Sequence, residues 1–231
     1  MDTALLSCLN AARDKRQAAI VVKDLKGGAD QLLLQGDAIP DGFESETILR
    51  AFRSGKSGMV ETRAGSRFLS VHVPSPRLVV IGAVHISQVL APMAQMAGLH
   101  VTVIDPRAAF ATAERFPATT VHAEWPQDIL PTVGLDGYTA LAALTHDPKI
   151  DDPGLMAAFE AGCFYIGALG SRKTHATRVA RLEAGGVAAN DLARVAAPIG
   201  LDIGAASPAE IAVAVLAEII AALRGPKHVV A

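Results

Sequence analysis

Apolar positions along the chain follow two different periods, and the switch between them is clearest over residues 77–105. Leu78-Val79-Val80-Ile81 is a continuous apolar run. It predicts a strand covered by helices on both faces, since such a strand has no side that meets water. Gly82 ends the run, and Ile86, Val89, Leu90, Met93, Met96 and Ala97 then recur at helical spacing as far as Gly98. A second apolar run over 100–104 closes on Asp105. Together these predict a strand-helix-strand unit of dinucleotide-binding length.

The alternation continues. Apolar runs over 119–123, 138–144, 163–169 and 194–197 are separated by polar or helix-period stretches. With the first two they predict six strands of a Rossmann-like, doubly wound, mainly parallel α/β sheet over 77–231, joined by right-handed crossovers. The last helix is expected over 208–224. Ser207-Pro208-Ala209-Glu210 reads as a capping box with proline at the first helical position, and Gly225-Pro226 as its end. Its apolar stripe, Ile211, Val215, Ile219 and Leu223, suits core or subunit contact.

Residues 1–76 have another character and predict a small N-terminal α+β subdomain. An amphipathic leading helix is followed by strands over 18–22 and 31–34 and by a helix over 44–54. A hairpin of 58–62 and 67–73 then turns about Ala64-Gly65-Ser66. Pro74-Ser75-Pro76 reads as an extended connector, because a residue before proline is pushed out of helix.

Composition narrows the class. A chain of 231 residues that is 51% hydrophobic can bury a sizeable core, and a net charge of -2 gives no basic footprint for nucleic acid. The apolar tract over 211–223 contains Glu218 and is too short to span a bilayer. With no basic-then-apolar leader at the N-terminus, a cytoplasmic protein without membrane attachment is expected. Cys8 and Cys163 cannot build a disulfide framework or a zinc cluster, and Cys163, inside an apolar run, reads as an inert core thiol. No G-x-S-x-G elbow and no zinc-spaced histidine pair is present, so no metal site is predicted.

In an open α/β sheet, ligands bind beyond the carboxyl ends of the strands. The first strand delivers Gly82, Ala83, Val84 and His85 to that edge, and the second delivers Asp105 and Arg107. The fourth delivers Thr145, His146 and Asp147, the fifth Gly170, Ser171, Arg172 and Lys173, and the sixth Gly200 and Asp202. Of the G-x-G-x-x-G fingerprint the first loop keeps one glycine, and Val84 stands where a missing side chain lets backbone approach a pyrophosphate. Asp105 is at the distance that lets a carboxylate accept from a ribose hydroxyl. His85 suits a cap or a titrating group, and Thr145-His146-Asp147 suits either a turn before Pro148 or a polar site. Ser171, Arg172 and Lys173, at the start of a helix expected over 174–183, favour an anionic, phosphate-bearing ligand.

The segments GAVHIS, VTVIDPRAAFATAERFP, LTHDP, YIGALGSRKT and APIGLDIGAASPAEIAVAVLAEI follow one another within 78–225. They resemble the C-terminal Rossmann-like domain of the xanthine dehydrogenase accessory protein family, XdhC/CoxI. The resemblance implies a homodimeric chaperone that binds molybdenum cofactor of the molybdopterin type. It also implies that the chaperone supports sulfuration of the cofactor with a partner sulfurtransferase and delivers it to an apo molybdenum hydroxylase such as xanthine dehydrogenase. Two places depart from the family. Val84 replaces the second glycine of its Gly-Ala-Gly-His loop, and residues 1–76 carry Gly27-Gly28 without the cysteine of its Gly-Gly-Cys segment, a divergent or shortened N-terminal region. An NAD(P)-dependent oxidoreductase on the same sheet is the alternative reading, and a partner-binding protein with a vestigial pocket is the third.

Overall fold

The structure is a computed structural model that describes residues 2–25, 27–63 and 65–225. Residues 2–74, with Arg224 and Gly225, form one compact unit and Ser75–Leu223 another.

In the first unit, helix α1 (Thr3–Asp14) starts at Asp2, whose carboxylate accepts from the Leu5 N–H at 2.8 Å. It is followed by β1 (Ala19–Asp24), β2 (Gln31–Leu34), α2 (Ser45–Ser54), β3 (Gly58–Thr62) and β4 (Gly65–His72). The strands form an antiparallel sheet in the order β2-β1-β4-β3. Ala19 and Val21 of β1 pack with Leu9 and Ala12 of α1, while Ile20 and Val22 point the other way and are buried too. The hairpin differs from expectation. Thr62 pairs with Gly65, so the turn is two residues long and Gly65 and Ser66 belong to β4, while Ala64 lies outside the described residues.

The second unit runs β5 (Arg77–Ile81), α3 (His85–Met96), β6 (His100–Ile104), β7 (Thr120–His122), α4 (Pro126–Val133), β8 (Thr139–Ala143) and α5 (Pro148–Glu160). It continues through β9 (Tyr165–Ala168), α6 (Arg172–Ala184), α7 (Ala189–Leu192), β10 (Val195–Ala196) and α8 (Pro208–Arg224). All six strands are parallel, in the order β10-β9-β8-β5-β6-β7. This is the doubly wound α/β sheet expected.

The unbroken apolar run of β5 serves both faces. Leu78 and Val80 pack with Leu90 of α3 and Val215 and Ile219 of α8, whereas Val79 and Ile81 pack with Ile129 of α4 and Leu155 and Phe159 of α5. Each such side chain, once fully buried, stabilises the fold by about 1.5–3 kcal/mol. Gly154 lets α5 lie close on β5, since a Cβ there would come 2.8 Å from Ile81 Cγ1.

Helices α4 and α5 arise from stretches whose prolines, Pro131 and Pro153, obscure a helical pattern. Helix α6 begins at Arg172, two residues before its predicted start, and Met96, placed on the apolar stripe of α3, is 82% exposed. The capping box of α8 is formed. Glu210 accepts from the N–H groups of Ala206 and Ser207 at 2.8 and 2.9 Å, and the Glu210 N–H donates to Ser207 Oγ at 3.2 Å. Pro226, expected to end that helix, lies outside the described residues. No helix among the described residues is long and apolar enough to cross a membrane.

Candidate functional site

The sheet order reverses between β5 and β8, so their connections leave toward opposite faces and open a crevice at the carboxyl ends of those strands. Gly82 forms one lip. Its φ is +116°, and a Cβ would lie 2.7 Å from Thr145 Cγ2 on the other lip, so the approach of the two loops requires glycine.

The first two backbone donors that follow Gly82 are already used. The Ala83 N–H donates to Asp105 Oδ2 at 2.8 Å and the Val84 N–H to Ser87 Oγ at 2.8 Å, while the Ser87 hydroxyl donates to the Gly82 carbonyl at 2.6 Å. Arg115 donates to the Ala83 carbonyl at 3.1 Å and to Gln88 Oε1 at 3.1 Å. A loop tied in this way leaves neither of these N–H groups for a pyrophosphate. His85 is exposed at the first position of α3.

Asp105 does not have the role its spacing suggests. Its side chain is wholly buried, and four donors fill its oxygens: the Arg107 N–H and Nε on Oδ1, both at 2.9 Å, and Arg107 Nη2 and the Ala83 N–H on Oδ2, at 2.7 and 2.8 Å. A ribose hydroxyl has no acceptor there, because the carboxylate holds the first loop to Arg107 instead. Burial pushes its pKa up, but the bonds from Arg107 and Ala83 outweigh burial and hold it below the usual carboxylate range. Asp105 holds the Arg107 guanidinium protonated, and Asp147 and Asp151 add to this from across the crevice.

The β8 lip is organised by a residue absent from the sequence-derived set. Asp151, 1% exposed, accepts from the Thr145 hydroxyl at 2.7 Å, the Thr145 N–H at 3.2 Å and the His146 N–H at 3.1 Å. These bonds hold His146 at φ +67°, a left-handed conformation uncommon outside glycine. Asp147 caps α5 through the Lys149 N–H at 3.0 Å. Thr145 and Asp147 thus shape the loop, and the exposed His146 side chain is what the loop presents. Burial pushes the Asp151 pKa up, against its hydrogen bonds and the charge of Arg178.

Beyond β9, Gly170 turns the chain at φ +135° and Ser171 Oγ caps α6 by accepting the Thr174 N–H at 3.2 Å. Arg172 and Lys173 are exposed, with no side-chain bond among the described residues. A cavity of about 310 Å³ lies beside this helix, lined by His146, Pro148, Asp151, Lys173, Thr174, Thr177, Arg178 and Arg181. It brings together His146 and Lys173 from the predicted set, but not His85, Arg172, Gly200 or Asp202. The Gly200 N–H donates to Glu218 Oε2 at 2.8 Å, and Glu218 also accepts from the Tyr165 hydroxyl at 2.6 Å. Gly200 therefore fastens its loop to α8, and Asp202 is exposed beyond it. Cys163 is completely buried, and burial pushes its thiol up to about 12, which leaves it unreactive near neutral pH.

Asp151 and Arg178 are the residues that sequence reading missed. An aspartate in the first turn of a helix reads as a partner for the helix dipole, and an arginine in a polar helix reads as solvated, so nothing in the pattern marks either as buried.

The fold and the crevice define a doubly wound, Rossmann-like protein whose dinucleotide loop is closed and whose cavity beside α6 lies alongside the switch point. The family model of the XdhC Rossmann domain matches residues 78–219, more than half of the chain, so the chain belongs to the XdhC family. It is 36% identical over 165 residues to the uncharacterized protein YqeB of Escherichia coli, covering 68% of this chain and 29% of that protein. It is 36% identical over 148 residues to a probable xanthine dehydrogenase subunit from Bacillus subtilis (64% of this chain, 43% of that one). With the molybdenum cofactor insertion chaperone PaoD of Escherichia coli it shares 39% identity over 85 residues (37% and 27%). The chain thus spans less than half the length of these curated relatives. The crystal structure of a xanthine dehydrogenase from Bacillus halodurans has the same fold, at a TM-score of 0.67 and 23% identity, covering 96% of this chain and 68% of that one.

Proposed function

We propose that the protein is a maturation factor for a molybdenum hydroxylase, one that holds molybdenum cofactor as cargo and passes it to the apo-enzyme. Two relatives carry names from that chemistry, one from xanthine dehydrogenase itself and one from insertion of the molybdenum cofactor. The observation that carries the reading is the cavity on α6, whose wall holds Lys173 and a buried Arg178 with unpaired donors. Molybdopterin bears a phosphate, and a cationic, donor-rich wall suits that end of it.

In this reading Lys173 and Arg178 hold the phosphate, with Gly170, Ser171 and Arg172 forming the rim. Thr145, His146 and Asp147 lie along one lip of the crevice, and Gly82, Ala83, Val84, His85 and Arg107 along the other. The molybdenum chemistry is the client's. Cys163 is buried and inert, and in this reading sulfuration of the cargo involves a partner sulfurtransferase. The closed first loop argues against a nicotinamide nucleotide in the usual pose.

The test is a titration of the purified protein with molybdenum cofactor, NADH and NADPH, each followed by gel filtration and measurement of retained ligand absorbance. Stoichiometric retention of the pterin alone is the expected result. Retention of a nicotinamide and not the pterin would overturn the reading in favour of an oxidoreductase.

A further inference from the structure

Helix α6 carries cations in two distinct settings. Arg172 is exposed at its tip, whereas Arg178, six residues on, faces inward and is 3% exposed. A guanidinium offers five N–H donors and no acceptor. At Arg178, Nη2 donates to the Leu169 carbonyl at 2.8 Å, while Nε and Nη1 are buried without a partner among the described residues. The nearby carboxylates do not answer them. Asp151 gives its oxygens to Thr145 and His146, and Asp152 takes the fork of Arg181 at 2.5 and 2.9 Å.

Buried donors in native proteins are almost always satisfied, and a charged group left unpaired away from water is costly. An arginine kept in this condition beside a cavity points to an acceptor that occupies the cavity. The cavity holds about 310 Å³, at the small end of the range of about 300–1,000 Å³ for ligand sites. Around Arg178 it is lined by Lys173, the hydroxyl residues Thr174 and Thr177, and His146. Pro148, Arg181 and the buried carboxyl group of Asp151 complete the lining, in which Lys173, Arg178 and Arg181 outnumber the one acid, a balance of charge that suits an oxyanion.

We propose that this cavity is a phosphate subsite in which Arg178 is the anion-binding residue, so that the phosphate group lies against the inner flank of α6 and not at its exposed tip. The subsite deepens the maturation-factor reading and rests on it only for the identity of the natural ligand. Its volume suits a phosphate or pyrophosphate group and leaves any larger body of the ligand outside the cavity.

Inorganic pyrophosphate is the probe, titrated into the whole chain and followed by calorimetry and by phosphorus NMR line width. The wild type is expected to bind it saturably, and Arg178→Met to weaken it by about tenfold or more, as loss of charge-assisted hydrogen bonds requires. Lys173→Ala, at an exposed position, weakens it too and decides the matter if Arg178→Met does not fold. Arg50→Ala, which removes an equal charge from α2, leaves binding unchanged. Absence of saturable binding to the wild type overturns the subsite, as does undiminished binding by a folded Arg178→Met or an equal loss in Arg50→Ala. Pyrophosphate binding that depends on Arg178, in a protein that retains no pterin, keeps the subsite and removes the maturation factor. Pterin retention without pyrophosphate binding does the reverse.

Discussion

Asp105 and Asp151 are both buried carboxylates, yet their pKa values move in opposite directions. Asp105 faces the full fork of Arg107, and charge-assisted bonds overcome its burial. Asp151 receives two backbone N–H groups and a hydroxyl, which do not. A carboxylate whose pKa is depressed in the folded state adds stability above its unfolded pKa, about 3.9, and loses it as pH falls through the folded value. Replacing Asp105 with Asn removes that contribution and leaves Arg107 without its partner. Because Arg107 is 38% exposed, the cost is below that of a fully buried pair, about 2 kcal/mol near neutral pH. Urea unfolding should show this deficit at about pH 7 and a smaller one at about pH 3, below the unfolded pKa, where the carboxylate of the unfolded chain takes up a proton. An unchanged deficit across that range would refute the linkage. Asp105 also shows what spacing can reveal. Its position at the end of the second strand was legible, but its use was not, because only packing shows Arg107 and Ala83 turned onto it.

At the scale of elements, the β5–α3 connection decides which ligands the crevice can take. In the sequence Val84 reads as a steric obstacle, but in the structure the obstacle is the allocation of donors: Ala83 to Asp105 and Val84 to Ser87. The two accounts predict different outcomes for Val84→Gly. If the branched side chain were the barrier, the variant would gain NADH retention on gel filtration. With the donors allocated as they are, it retains none, and measurable retention would refute this account. The strands were legible because buried parallel strands are written as apolar runs, and Leu78–Ile81 has no other reading. The helices were unevenly so. The capping box announces α8, whereas Pro131 and Pro153 hide α4 and α5. Arg178 could not be found in the same way, since α6 carries Arg172, Lys173, Arg178 and Arg181 and is polar on most sides, a pattern that reads as solvated.

At the scale of the molecule, two cores of different size follow from two kinds of sheet. The parallel sheet of Ser75–Leu223 is packed on both faces, by α3 and α8 on one side and by α4 and α5 on the other. Residues 2–74 have a four-stranded sheet and two helices from which to build a core. Units below about 70–80 residues rarely obtain more than about 3–5 kcal/mol from a single core, while larger ones bury a greater share of their surface. The smaller unit is therefore expected to unfold first in urea. Trp125, the one tryptophan in the sequence, lies in the larger unit immediately before α4 and reports that unit by fluorescence, whereas far-ultraviolet circular dichroism reports both. The circular dichroism signal should begin to fall at lower urea than the fluorescence changes. Coincident transitions would instead mean that the chain unfolds as one cooperative body, and that the smaller unit draws stability from the larger one.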